Sequence, residues 1–190
     1  MLKLEFEEFP ILSTQRILLR KIDTKDVEQV FLLRSNTESM RYINRPLAQT
    51  IDDAYGYIKK IQDAFLEQIG ITWAICDKTT NILMGTVGFW KFDFENYRTE
   101  IGYMLLPEYF KQGFMQEIFD EIIPFAFNVL NVHSIEANIN PENFASRNIL
   151  VKNGFIQEAY FRENYYFNGV FIDSAIFSLL QSTYLQKKQE

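Results

Sequence analysis

The chain has 190 residues, a formal net charge of −6 at pH 7, 47% hydrophobic residues and 16% aromatic ones. That apolar fraction excludes a polar, disordered chain and suits one domain, residues 1–190, large enough to bury a sizeable core. The acidic balance argues against non-specific binding to nucleic acid, which needs Lys and Arg on the phosphates; it leaves room for a cationic substrate, although solubility alone also favours acidic surfaces.

The first elements in chain order are a strand over 15–22 and a helix over 25–36 capped by Asp23 or Thr24. Thr50 caps a second helix, to about residue 68, in which Ile51, Ala54, Tyr55, Ile58, Ile61, Phe65 and Ile69 recur at helical spacing. Strands over 71–77 and 82–92 flank the turn Lys78-Thr79-Thr80-Asn81 and read as a hairpin. A strand over 98–106 ends at Pro107, a helix follows over 113–130 with a bend expected at Pro124, and a strand returns over 132–139. A capped helix over 142–153 closes at Gly154, and strands over 155–167 and 170–180 flank Asn168-Gly169, a dipeptide suited to a type I′ turn. Strand 98–106, its crossover helix and strand 132–139 form a βαβ unit, so those two strands run parallel in a mixed α/β sheet covered by helices.

No apolar run approaches a membrane span, and the first ten residues are acidic rather than basic and then apolar, so neither a span nor a secretory leader is expected. The only cysteine, Cys76, cannot form an internal disulfide, which fits a reducing cytoplasm. With His133 the only histidine, no metal cluster and no Cys–His pair is expected. His133 opens a strand after a helix end and reads as a surface residue.

Two segments carry chemistry together. The turn-rich run Pro107 to Met115 leads into a long helix, and a glycine-bearing turn at a helix start exposes N–H groups where a phosphate can sit. The second is the segment Asn143 to Phe155, which holds the short capped helix and the Gly154 that closes it. With Arg16-Ile17-Leu18-Leu19-Arg20, Met84 to Phe89, Glu100 to Leu105, Gly113-Phe114-Met115 and Ala126-Phe127, they make nearly the whole chain resemble the GNAT acyltransferase superfamily, and within it the Rim-type ribosomal-protein N-terminal acetyltransferases.

The resemblance implies a mixed, mostly antiparallel sheet of about seven strands, helices on both faces, and a V-shaped split between strands 98–106 and 132–139 that receives acetyl-CoA. It implies that Tyr103, Met104 and Leu105 hold the pantetheine arm through their backbone, with an N–H near Leu105 on the thioester carbonyl. Lys111, Gln112, Gly113, Phe114, Met115 and Gln116 would form the phosphate site. The superfamily pattern R/Q-x-x-G-x-G/A is met only at Gly113, and Lys111 stands where the Rim branch usually has Gly, so a less tightly wound loop is expected; a lysine there could also reach a phosphate.

Glu100, on the strand that enters the cleft, is the candidate base for the amine, unless it is an ordinary strand residue or a partner of Arg98. The superfamily's tyrosine acid falls seven residues after Asn143, where this chain has Leu150, so Ser146 or a water takes its place. Asn143 would bind the pantetheine arm and Ser146 lie near the sulfur; alternatively one of them only caps the helix. The implied partner is an amine, first a protein or peptide N-terminus, otherwise a polyamine, amino acid or antibiotic; a non-catalytic acyl-CoA-binding module is the alternative of another class. Neither a nucleic acid nor a membrane is expected as a partner, and the chain could be a monomer or a homodimer.

Overall fold

The computed structural model describes Leu2 and residues 4–187. Its strands are β1 (Leu12–Ser13), β2 (Ile17–Lys21), β3 (Gly70–Asp77), β4 (Leu83–Asp93), β5 (Arg98–Leu105), β6 (Ser134–Ile139), β7 (Ile156–Phe167) and β8 (Val170–Leu180). Its helices are α1 (Val27–Ser35), α2 (Ile51–Leu66), α3 (Phe114–Asn128), α4 (Phe144–Lys152) and α5 (Gln181–Lys187). All eight strands join one sheet in the order β1-β2-β3-β4-β5-β6-β8-β7. The strand beyond the expected seven is β1, whose two residues pair with Leu18 and Leu19 and are too short to leave a periodic signal. The helix α5 had no sequence signal either.

Local chemistry explains the boundaries. Thr50 opens α2 with a capping box: its hydroxyl accepts from the Asp53 N–H, and Asp53 accepts from the Thr50 N–H at 2.9 Å. The first helical region splits into a 3-10 turn, Thr24–Asp26, capped by Asp23, and then α1. At the β7–β8 turn Asn168 and Gly169 both take positive φ, +47° and +82°, as a type I′ turn requires. Helix α3 continues through Pro124 to Asn128.

Strand alternation distributes two apolar layers. Ile71, Trp73 and Ile75 of β3 and Ile101 and Leu105 of β5 join Ile118, Phe119 and Ile122 of α3 and Leu150 of α4 in the larger core. Ala74, Cys76 and Leu83 turn the other way, against Val30 and Leu33 of α1 and Ala54 and Ile58 of α2. Helices thus cover both faces.

Every strand pair is antiparallel except β5 with β6, which are joined through α3. These two pair only at Arg98↔Ser134, Thr99↔Ile135 and Glu100↔Glu136. β5 nevertheless runs on to Leu105 and β6 to Ile139. The sheet opens directly after Glu100.

Candidate active site

The open edge of β5 follows from its register. The Leu106 N–H donates to Met84 O at 2.8 Å, continuing the pairing of β4 with β5. In an antiparallel ladder main-chain groups alternate in direction, so those of Ile101, Tyr103 and Leu105 face the opening. Met104, paired with Thr86, turns its main chain to β4 instead, so only its side chain is left to meet a cofactor. The Leu105 carbonyl accepts from Ser39 Oγ at 3.0 Å, so the segment between α1 and α2 is tied to the same edge.

The expected phosphate loop is built as a helix start. Gly113 is the N-cap of α3, has φ +82°, and provides no side-chain cap, so the first-turn N–H groups depend on another acceptor. The expected slackening at Lys111 does not occur. Lys111 adopts φ +59°, the left-handed conformation a glycine would take, at a cost of roughly 1 kcal/mol. Gln112 donates its side-chain amide to Glu108 O, and Gln116 reaches Asp120 and Asn153, so both side chains serve the local fold and only their main-chain groups remain for an anion. Phe114 is buried against Tyr109, and Met115 is half-buried against the larger core.

Arg16, outside the expected set, braces this loop. Its Nε donates to Glu117 Oε2 at 2.8 Å, its Nη1 to Gln112 O at 3.2 Å, and its guanidinium lies 4.2 Å from the Phe114 ring centroid. Glu117 also accepts from the Thr14 hydroxyl and the Arg16 N–H. Burial raises the Glu117 carboxyl, but these donors outweigh it and hold the group below the ordinary carboxylate range. Arg16 thereby neutralises an acid in the first turn of a helix whose start is suited to an anion. The sequence signal was its place in the Arg16–Arg20 run; its partner lies 101 residues away.

Glu100 lies at the closed end of the split, buried, on the face covered by α1 and α2. Its Oε2 accepts from Lys91 Nζ at 2.6 Å. The expected alternative partner, Arg98, pairs with Glu136 at 3.0 Å. A bulge between Trp90 and Asp93, with Lys91 at φ +51°, turns the lysine back onto Glu100. Beside it the Trp90 indole lies over Gly102, where a Cβ would come within 1.7 Å of the ring.

Across the opening, Asn143 caps α4 by accepting from the Ser146 N–H at 3.0 Å, the capping role that had been the alternative reading. Ser146 is buried, and its Oγ is 2.6 Å from the Tyr103 hydroxyl. Leu150, in the superfamily's tyrosine position, is wholly buried in the core. The structure therefore brings together Glu100, Tyr103, Leu105, Asn143 and Ser146 around the split, with Lys111 to Gln116 at its α3 end.

His133 is exposed and lines a separate cleft of about 740 Å³ with Asp93, Arg98 and Glu158, beyond the closed end. Burial pushes the Cys76 thiol up to about 12, which makes it unreactive. Among the described residues no group of three or more His, Cys, Asp or Glu is placed to hold a metal.

An interrupted parallel pair, an outward-facing strand edge and an uncapped helix start define a fold that holds an extended, amide-bearing, phosphorylated co-substrate. Residues 16–156 match the family model described as the acetyltransferase (GNAT) domain. The chain is 34% identical over 173 residues to N-acetyltransferase YoaA of Bacillus subtilis (strain 168), itself uncharacterised, covering 91% of this chain and 98% of that one. Its fold matches spermidine N-acetyltransferase from Vibrio cholerae, solved with CoA and spermine, at TM-score 0.79 and 22% identity over 90% of this chain and 99% of that one. It also matches RimL, a ribosomal alpha-N-protein acetyltransferase solved with coenzyme A, at TM-score 0.81 and 17% identity over 90% and 98%. At those identities the two structures speak for the fold alone. The chain belongs to the GNAT acetyltransferase family and is an acetyl-CoA-dependent N-acetyltransferase.

Proposed function

We propose that this enzyme acetylates a primary amine delivered to Glu100, with Glu100 taking the proton the amine loses. The observation that carries the reading is the point at which β5 and β6 stop pairing, because it sets a buried carboxylate at the closed end of an open strand edge. The main chain of Tyr103 and Leu105 would hold the pantetheine arm, the N–H groups from Gln112 to Gln116 the phosphates, with Lys111 beside them, and the Leu105 N–H would polarise the thioester carbonyl. Lys91 Nζ is itself an amine nitrogen bonded to Glu100, which supports an acceptor nitrogen fitting there. Its side chain is mostly exposed and can swing away when an acceptor arrives.

A protein or peptide N-terminus is the first acceptor class, supported by the RimL fold. A linear polyamine is the second, supported by the spermidine N-acetyltransferase fold and the acidic net charge. A cytoplasmic site of action fits the single, buried cysteine. The test is thermal stabilisation by acetyl-CoA, followed by release of free CoA thiol with peptides, polyamines and amino acids. Stabilisation together with acceleration by one amine class is expected. Stabilisation with no turnover from any amine would favour an acyl-CoA-binding module, and the absence of both would end the reading.

A further inference from the structure

We propose that Tyr103 is a positioning residue for the leaving group: its hydroxyl donates to Ser146 Oγ and leaves the Ser146 proton aimed at the thioester sulfur. The proposal rests on the functional reading above and assigns a task to a side chain that the reading uses only for its backbone.

β5 and α4 stand on opposite sides of the split, and the Tyr103 side chain bridges them. Its ring packs edge-on against Phe119 of α3, with centroids 5.1 Å apart at 83°, and its hydroxyl ends 2.6 Å from Ser146 Oγ. Ser146 is fixed from the other side by the bond from its own N–H to Asn143 Oδ1. Two hydroxyls at this distance share one proton between them, and either oxygen has the geometry to donate. A phenol is a far stronger acid than an alkyl alcohol, so Tyr103 is the better donor and Ser146 keeps its own hydrogen for a third group. With Leu150 sunk in the core, the helix offers no tyrosine of its own. The phenol comes from the strand instead.

Burial pushes the Tyr103 hydroxyl well above its ordinary pKa, against a smaller lowering by the bond with Ser146. A buried phenolate is therefore disfavoured, and Tyr103 gives a hydrogen bond rather than a proton. The step balances on that basis. The amine nitrogen bonds to the acetyl carbon and its proton passes to Glu100. The C–S bond breaks with its electron pair on sulfur, the thiolate accepts the Ser146 O–H, and solvent protonates it afterwards. A thiol near pKa 8.5 needs no stronger acid than this.

The test uses the whole chain and free CoA as the probe. The pH titration of the bound thiol, read by thiolate absorbance, is compared in wild type, Tyr103→Phe, Ser146→Ala and the double variant, beside kcat and KM. Wild type should lower the bound thiol's pKa, and both single variants should return it toward the free value. Each should cost about tenfold in kcat, with KM for acetyl-CoA within about twofold. The double variant should be no worse than Ser146→Ala, since Tyr103 acts only through that serine. Tyr103→Phe keeps the ring on Phe119 and should leave Tm unchanged. A wild-type titration and kcat in Tyr103→Phe, or additive losses in the double variant, would overturn the proposal while leaving the acetyltransferase reading intact. Failure of wild type to bind CoA would remove both.

Discussion

Asp26 and Glu100 are both buried and each has one basic partner, yet only Glu100, the proposed base, has a partner that reaches solvent. Asp26 accepts two guanidinium bonds from Arg20, at 2.7 and 2.8 Å, and a third from the Asp23 N–H. Arg20 is buried too, and spends its Nε on Asn81 Oδ1. The pair is closed on every side and ties β2 to the start of α1 and to the β3–β4 turn. The Glu100 side chain is 9% exposed, but that of Lys91 is 67% exposed and hangs on a bulge. A buried carboxylate with a buried partner stabilises a fold, whereas one with an exposed partner can exchange it for a substrate. Burial of the acid alone does not separate the two; the exposure of its base does.

That contrast can be broken in order of effect. Asp26→Ala strands the Arg20 charge in the interior and should cost about 3–5 kcal/mol of stability, read from denaturant midpoints, while leaving kcat per folded molecule unchanged. Glu100→Gln should do the reverse: a fold of near wild-type stability, normal acetyl-CoA binding, and kcat lower by at least about 100-fold. A wild-type rate in that variant would return Glu100 to the structural class.

Lys91→Ala sharpens the comparison. An ion pair with one exposed member contributes at most about 1 kcal/mol, so stability should barely move. Removing the resident amine should lower KM for the acceptor by up to about fivefold; a raised KM would show that Lys91 belongs to the acceptor site rather than competing for it.

The smallest effect concerns the Arg16–Glu117 brace. Because the Glu117 carboxyl is depressed in the folded state, its contribution is complete above its unfolded value of about 4.3 and is lost as pH falls through the lower folded one. Tm of wild type should therefore drop more steeply than that of Glu117→Gln below about pH 4. Parallel curves would leave the brace without energetic weight.

Much of the fold was legible because the elements are long and periodic. The α2 stripe, the Asn168-Gly169 turn, the glycine at the α3 start and the βαβ order each follow from spacing or backbone freedom within one segment. Where two neighbouring residues compete for one partner, that reasoning ran out. Arg98 is two residues from Glu100 and was its ion-pair partner in the alternative reading, but the bulge hands Glu100 to Lys91, and Arg98 pairs with Glu136. At Lys111, propensity pointed to a looser loop, and tertiary anchoring by Arg16 and the buried Phe114 overrode it. Met104 sits among the expected cofactor contacts by number, but its main chain faces β4 and not the opening.

The order of residues by itself determined the kinds of element, their succession and the family, since periodicity, caps and turn residues act over a few positions. Register decided the rest. Which β5 carbonyls and amides face the opening, which lysine meets Glu100, and that Tyr103 meets Ser146 43 residues away all depend on how strands and helices lie against one another. A shift of one residue along a strand would turn each of those groups to the other side.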